Sequence, residues 1–121
     1  MKIPGPDHPI SIAPNPKRVV VRANGGVLAD TNAALTLAEA SYPHEQYVPR
    51  ADVDMSQLVR ADHATTCPFK GEASYYSLKT DDGIIENCVW SYETPHDAVA
   101  QIKEHLAFYP QRVESIQEIE D

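Results

Sequence analysis

The stretch Thr65-Thr66-Cys67-Pro68-Phe69-Lys70-Gly71 is the densest group of chemically versatile side chains in this 121-residue chain. Pro68 keeps Cys67 in extended backbone, and Gly71 permits a bend before the next element begins. Lys70 lies three residues after the thiol. An ammonium beside a partly exposed cysteine favours the thiolate, the form that a nucleophile or redox centre needs. Cys67 and Lys70 are therefore the candidate catalytic pair. The plainer alternative is a small buried thiol next to a surface lysine, since free cysteine is among the most buried residue types. His63 is the nearest histidine in sequence, but its spacing in a loop guarantees no contact with Cys67, so it reads as a solvated residue. His8, His44, His96 and His105 offer less.

A second group consists of Glu39, Tyr47, Arg50, Trp90 and Tyr92 as candidate ligand-binding residues. Arg50 ends a proline-bounded loop and can pair with Glu39 or grip an anionic ligand with both arms of its guanidinium. Trp90 and Tyr92 are either core residues or one wall of a concavity where aromatic and polar groups converge. Cys88 lies mid-strand beside Val89 and Trp90 and reads as a packed thiol. Zinc needs about four Cys or His ligands, usually in close pairs, and no such pair occurs, so no metal site is expected. Asn24-Gly25-Gly26 has no following Lys-Ser or Lys-Thr, so it is a turn rather than a phosphate cradle, and no cofactor is expected.

These residues must be positioned by a small set of elements. Residues 1–16 carry Pro4, Pro6, Pro9, Pro14 and Pro16, which exclude a helix or a central strand and predict an extended arm. Arg18 to Arg22 and Val27 to Ala29 form a hairpin about Asn24-Gly25-Gly26. In 31–40 the alanines favour helix, whereas Leu35, Leu37 and Glu39 alternate as in a strand. The strand reading puts Glu39 on an apolar face, where its carboxylate requires a cationic or hydrogen-bonding partner. Tyr42-Pro43 and Tyr47-Val48-Pro49 read as loop. Asp54 with Gln57 resembles a capping box opening a short helix near 54–60.

Residues 72–79 and 84–92 read as a central hairpin about Asp82-Gly83, with paired positions summing to 165. That register sets Lys79 opposite Glu86 and Tyr75 opposite Trp90. One face then carries Tyr75, Ser77, Cys88, Trp90 and Tyr92, and the other Tyr76, Leu78, Ile85 and Val89. Thr94-Pro95-His96-Asp97 predicts a helix over 95–106, with Thr94 as cap and Ala98, Val99, Ile102 and Leu106 on its inner face. Arg112 to Ile116 reads as an edge strand.

The length fits one domain, the proline arm followed by a single unit over 17–121. Net charge is −8; residues 1–60 hold six charges of each sign and 61–121 hold four basic and twelve acidic. Such a chain repels phosphate backbones, which argues against nucleic-acid binding. No run approaches the roughly 20 apolar residues of a membrane span, and the first residues lack the apolar stretch of a signal peptide. Cysteines at only 67 and 88 fit a reducing cytoplasm.

Tyr47-Val48-Pro49-Arg50, Asp52-Val53, Cys67-Pro68-Phe69-Lys70-Gly71-Glu72-Ala73, Val89-Trp90-Ser91-Tyr92 and Phe108-Tyr109-Pro110 follow one another in the chain. Together they resemble the bacterial domain-of-unknown-function 427 family, also labelled nucleotidyltransferase-like, from about Arg18 to Val113. The resemblance implies a compact, mainly β (α+β), antiparallel β-tent-like domain with a helix near its end. Glu39, Tyr47, Pro49, Arg50, Cys67, Lys70, Gly71, Trp90 and Tyr92 match the family's motif positions, whereas Phe69 stands where tyrosine is usual. The tent-like relatives often bind zinc through cysteine pairs that this chain lacks. Function belongs to sites rather than folds, so the label itself assigns no activity.

The combined expectation is a binding module for a small anionic metabolite or nucleotide around Cys67, Lys70, Arg50 and Trp90. The alternatives are a thiol-dependent or nucleotidyltransferase-like enzyme using Cys67 activated by Lys70, and an interaction domain that docks a partner through its arm or edge strand. A homo-oligomer is compatible with all three.

Overall fold

Apolar residues that alternate along extended segments can bury both faces of a sheet only if something covers each face, and that requirement organises the chain. The computed structural model describes residues 1–120. In chain order the strands are β1 (Ile10–Pro14), β2 (Arg18–Ala23), β3 (Gly26–Thr31), β4 (Leu35–Glu39), β5 (Glu45–Pro49), β6 (Leu58–Cys67), β7 (Gly71–Thr80), β8 (Gly83–Ser91), β9 (His105–Phe108) and β10 (Ser115–Ile119). They form two antiparallel sheets, a seven-stranded one in the order β1-β4-β5-β9-β8-β7-β6 and a three-stranded one in the order β10-β2-β3.

Neighbouring residues of the large sheet sort to opposite faces. Val48, Tyr76, Val89 and Leu106 join Val19, Val21 and Leu28 of the small sheet in one cluster. Tyr47, Tyr75, Trp90 and Ala107 point the other way and pack with Leu37, Val99 and Ile102. The small sheet thus seals one face, while the segment 97–102 and the β1–β4 edge cover the other. The Asn24-Gly25 turn has positive φ at both residues, 53° and 75°, as the hairpin signal requires.

The proline arm is an edge rather than a free tail. Ile10 to Pro14 pair with β4, with Ile10 opposite Glu39, and Pro14 costs no ladder bond on the outer side of an edge strand. Within 31–40, Leu35–Glu39 is strand β4, which settles the choice between helix and strand in favour of the alternation. Tyr47-Val48-Pro49 belongs to β5, not to a loop, and β10 begins at Ser115, three residues later than the Arg112 start of the predicted edge strand.

Both predicted helices are overturned. Near 54–60 there is a single 3₁₀ turn, Met55–Gln57. Asp54 does cap it, accepting from the Ser56 backbone N–H at 3.2 Å and from Gln57 Nε2 at 3.0 Å. A cap does not propagate a helix, whose nucleation is costly. Leu58 instead opens the β6 ladder opposite Leu78. Over 95–106 the chain makes a 3₁₀ segment, Asp97–Ile102, broken at Val99 (φ −125°, ψ 27°), and then strand β9. Thr94 is not the cap; His96 occupies that position without a side-chain bond. Val99, Ile102 and Leu106 are all buried, as predicted, but Ala98 is exposed. Leu106 and Ala107 are drawn into the gap between β5 and β8, where each neighbour offers backbone partners.

The β7–β8 register sums to 165 at Tyr75–Trp90 and Tyr76–Val89 but to 163 nearer the turn. Lys79 therefore faces Ile84 and not Glu86. Asn87, at φ 52°, carries the bulge, and its N–H donates to Ser77 Oγ at 3.0 Å. The slip moves Cys88 away from the Trp90 face into the cluster of Tyr76 and Leu78.

Candidate functional site

A carboxylate facing an apolar layer needs partners, and Glu39 has two. Lys70 Nζ donates to its Oε1 at 2.6 Å, and His8 Nε2 lies 2.7 Å from its Oε2. The Lys70 and Glu39 side chains are only 8% and 10% exposed, which makes this a buried ion pair. Burial by itself would push the Glu39 carboxyl up, but the hydrogen bonds from Lys70 and His8 outweigh it and hold the carboxyl below its ordinary value.

The loop between β6 and β7 positions Lys70. Gly71 has φ 111°, a backbone that side chains rarely adopt, and a Cβ there would sit 3.4 Å from both the His96 ring and the Thr94 carbonyl oxygen. The Lys70 carbonyl accepts from the His96 N–H at 2.9 Å. From the other side the arm closes on the same loop. The Lys2 N–H donates to the Pro68 carbonyl at 2.8 Å, and the His8 ring stacks on Phe69 with centroids 4.0 Å apart.

Lys70 borders a recess of about 190 Å³ whose other walls are Glu45, Tyr75, Trp90, Tyr92 and Tyr109. Its ammonium lies 5.6 Å from the centroid of Tyr92. Trp90 Nε1 donates to the Tyr47 hydroxyl at 3.1 Å, and both rings are buried, so Tyr47 buttresses the indole from behind. Burial raises the hydroxyls of Tyr47 and Tyr92, and burial together with the Tyr75 hydrogen bond pushes Tyr109 up to about 12. Burial also raises the Glu45 carboxyl, a rise that nearby Glu39 reinforces and Lys70 opposes.

The recess adjoins a larger groove of about 720 Å³, which runs along the seam between β10 and the β4–β5 strands. Glu45, Trp90 and Tyr109 line both. Asn15 ties the two sheets together at the groove's end, donating to Gln46 Oε1 at 3.0 Å and to Glu118 Oε1 at 2.8 Å.

Of the residues singled out by sequence, the structure brings Glu39, Tyr47, Lys70, Trp90 and Tyr92 into one neighbourhood. Arg50 is elsewhere: its guanidinium donates to the Tyr76 hydroxyl at 2.9 Å and lies over that ring, in the opposite cluster. Cys67 packs at the edge of the Tyr92 cluster and lines neither cavity. His8, Glu45, Tyr75 and Tyr109 were not foreseen as site residues. A strand reading of 45–49 would have placed Glu45 on the face of Tyr47, and the Ile10-Ser11-Ile12 alternation was the signal that the arm folds back towards Glu39. Among the described residues no group of three or more His, Cys, Asp or Glu is placed to hold a metal ion. No helix there is long and apolar enough to cross a membrane.

The architecture is that of a small, mainly β, antiparallel domain with a buried lysine–glutamate pair beside an aromatic cavity. Residues 11–119 match the family model described as Domain of unknown function (DUF427), and the chain belongs to that family. The chain matches no curated protein.

Proposed function

We propose that this domain binds a small molecule in the groove along the sheet seam, with part of the ligand entering the recess beside Trp90. The observation that carries this reading is that the two cavities are adjacent, with Glu45, Trp90 and Tyr109 lining both. A concave site with aromatic walls and a few convergent polar groups is the usual form of a small-molecule site. Lys70 is the one Lys or Arg among the lining residues, and its ammonium is already engaged by Glu39. An anion would have to compete with that carboxylate and approach Glu45 and Glu118 as well, so the site favours a neutral or cationic ligand over the anionic one expected from sequence.

Trp90 is the sole tryptophan, so its emission reports directly on occupancy. Screening a metabolite library by fluorescence and thermal shift should yield compounds that perturb Trp90 and raise the melting temperature together. A library in which no compound of any charge class does both would remove the proposal.

A further inference from the structure

The recess beside Trp90 is lined by four aromatic residues, Tyr75, Trp90, Tyr92 and Tyr109, together with Lys70 and Glu45. Resting on the reading of the groove as the ligand site, we propose that the recess receives an alkylated ammonium group, with Glu45 as its counter-ion and the rings as its cage.

The charges are the first argument. Lys70 is neutralised by Glu39 at 2.6 Å, whereas among the described residues the Glu45 carboxyl has neither a hydrogen-bond nor an ion-pair partner. One negative charge is therefore left over at the junction of recess and groove, in a chain whose net charge is −8. Partial burial disfavours the carboxylate of Glu45, and the attraction of Lys70 only partly offsets it. A ligand cation alongside it supplies the missing partner, in the way that a salt bridge lowers a carboxyl.

The rings are the second. Aromatic faces attract cations within about 6 Å of the ring centroid, most strongly when water is excluded, and quaternary ammonium groups are recognised in this way. Two walls of this recess already do so within the protein: Lys70 Nζ lies 5.6 Å from the Tyr92 centroid, and the Arg112 guanidinium 4.7 Å from that of Tyr109. The polar groups of two others already have partners, Trp90 Nε1 in Tyr47 and the Tyr75 hydroxyl in Thr65 Oγ1 at 2.9 Å and in Tyr109. Lys70 does not defeat the site, because with Glu39 it acts as a dipole rather than as a free charge.

The test uses choline and its uncharged carbon isostere 3,3-dimethyl-1-butanol, titrated against the full chain by Trp90 fluorescence and by calorimetry. Choline should bind roughly tenfold or more tightly than the isostere, a gap within the range of a desolvated cation–ring contact. Glu45→Gln should erase most of that preference, weakening choline binding far more than isostere binding. Equal affinity for the two probes overturns the ammonium assignment and leaves the groove reading standing. So does failure of choline while other library compounds still perturb Trp90. If nothing at all perturbs Trp90, the groove reading falls and takes this inference with it. The comparison of the two probes on the unaltered chain decides the matter even if Glu45→Gln folds poorly.

Discussion

The two faces of the large sheet are built from alternate residues of the same strands, yet they are different materials. The face under the small sheet is mostly aliphatic, with Val19, Val21, Leu28, Val48, Leu78, Val89 and Leu106 fully buried. The opposite face holds Tyr47, Tyr75, Trp90 and Tyr92, a buried lysine–glutamate pair, and a cavity. The first is covered by the three-stranded sheet. The second is covered only by the arm and a broken 3₁₀ segment, neither of which supplies a continuous lid. Dry aliphatic packing suits stability, whereas large amphipathic rings leave gaps and polar handles that a ligand can use. One sheet therefore carries an aliphatic structural face and the aromatic face of the proposed site.

Breaking the aromatic face at its ion pair should have the largest effect. Lys70→Met leaves the Glu39 carboxylate buried with His8 as its remaining partner and should cost about 3–5 kcal/mol in denaturant unfolding. A loss under about 1 kcal/mol would mean that the pair is effectively solvated. On the structural face, Leu78→Ala should cost about 2–5 kcal/mol through the cavity it leaves. The two variants separate the faces: under conditions where both stay folded, Leu78→Ala should keep the Trp90 emission of the unaltered chain, and Lys70→Met should change it. If Leu78→Ala shifts that emission as much, the faces are not independent.

Gly71→Ala sharpens the role of the loop. Its φ of 111° and the 3.4 Å contacts to His96 and Thr94 predict a cost of about 1–3 kcal/mol, read in the same unfolding experiment. No loss of stability would show that the loop can relax without disturbing Lys70.

The smallest effect concerns the two carboxyls, which carry opposite signs. Glu39 is held below the ordinary value of 4.5, so it contributes stability above that pH, which is lost as the pH falls through its folded value. Glu45 is raised above 4.5, so its neutral form is favoured, and its contribution is present below that value and lost as the pH rises through its folded one. Glu45→Gln should therefore raise the melting temperature at neutral pH, and the gain should close as the pH falls below 4.5. A gain that persists in acid would trace to packing rather than charge.

Much of this was legible in single segments. The Asn24-Gly25 turn, the pairing of Tyr75 with Trp90, and the demand of Glu39 for a partner all follow from local chemistry, because turn geometry and strand alternation depend on near neighbours. The helices were misread for the opposite reason. Val99, Ile102 and Leu106 have helical spacing, but strand β9 fills a gap between β5 and β8 that no local pattern describes. Arg50 was the closest cation to Glu39 along the chain, and distance along the chain proved a poor guide to distance in space.

What the sequence by itself determined is that the segments of β2, β3, β7 and β8 extend, where the first hairpin turns, and that a strand over 35–39 would leave one carboxylate on an apolar face. Only the tertiary structure decided that Lys70 and His8 answer that carboxylate, and that Glu45 stands with four aromatic rings around a hollow. The reason is physical. Propensity and alternation act over a few residues, whereas Lys70 and Glu39 are 31 positions apart and meet through ladders whose order is set by burying both faces of one sheet at once.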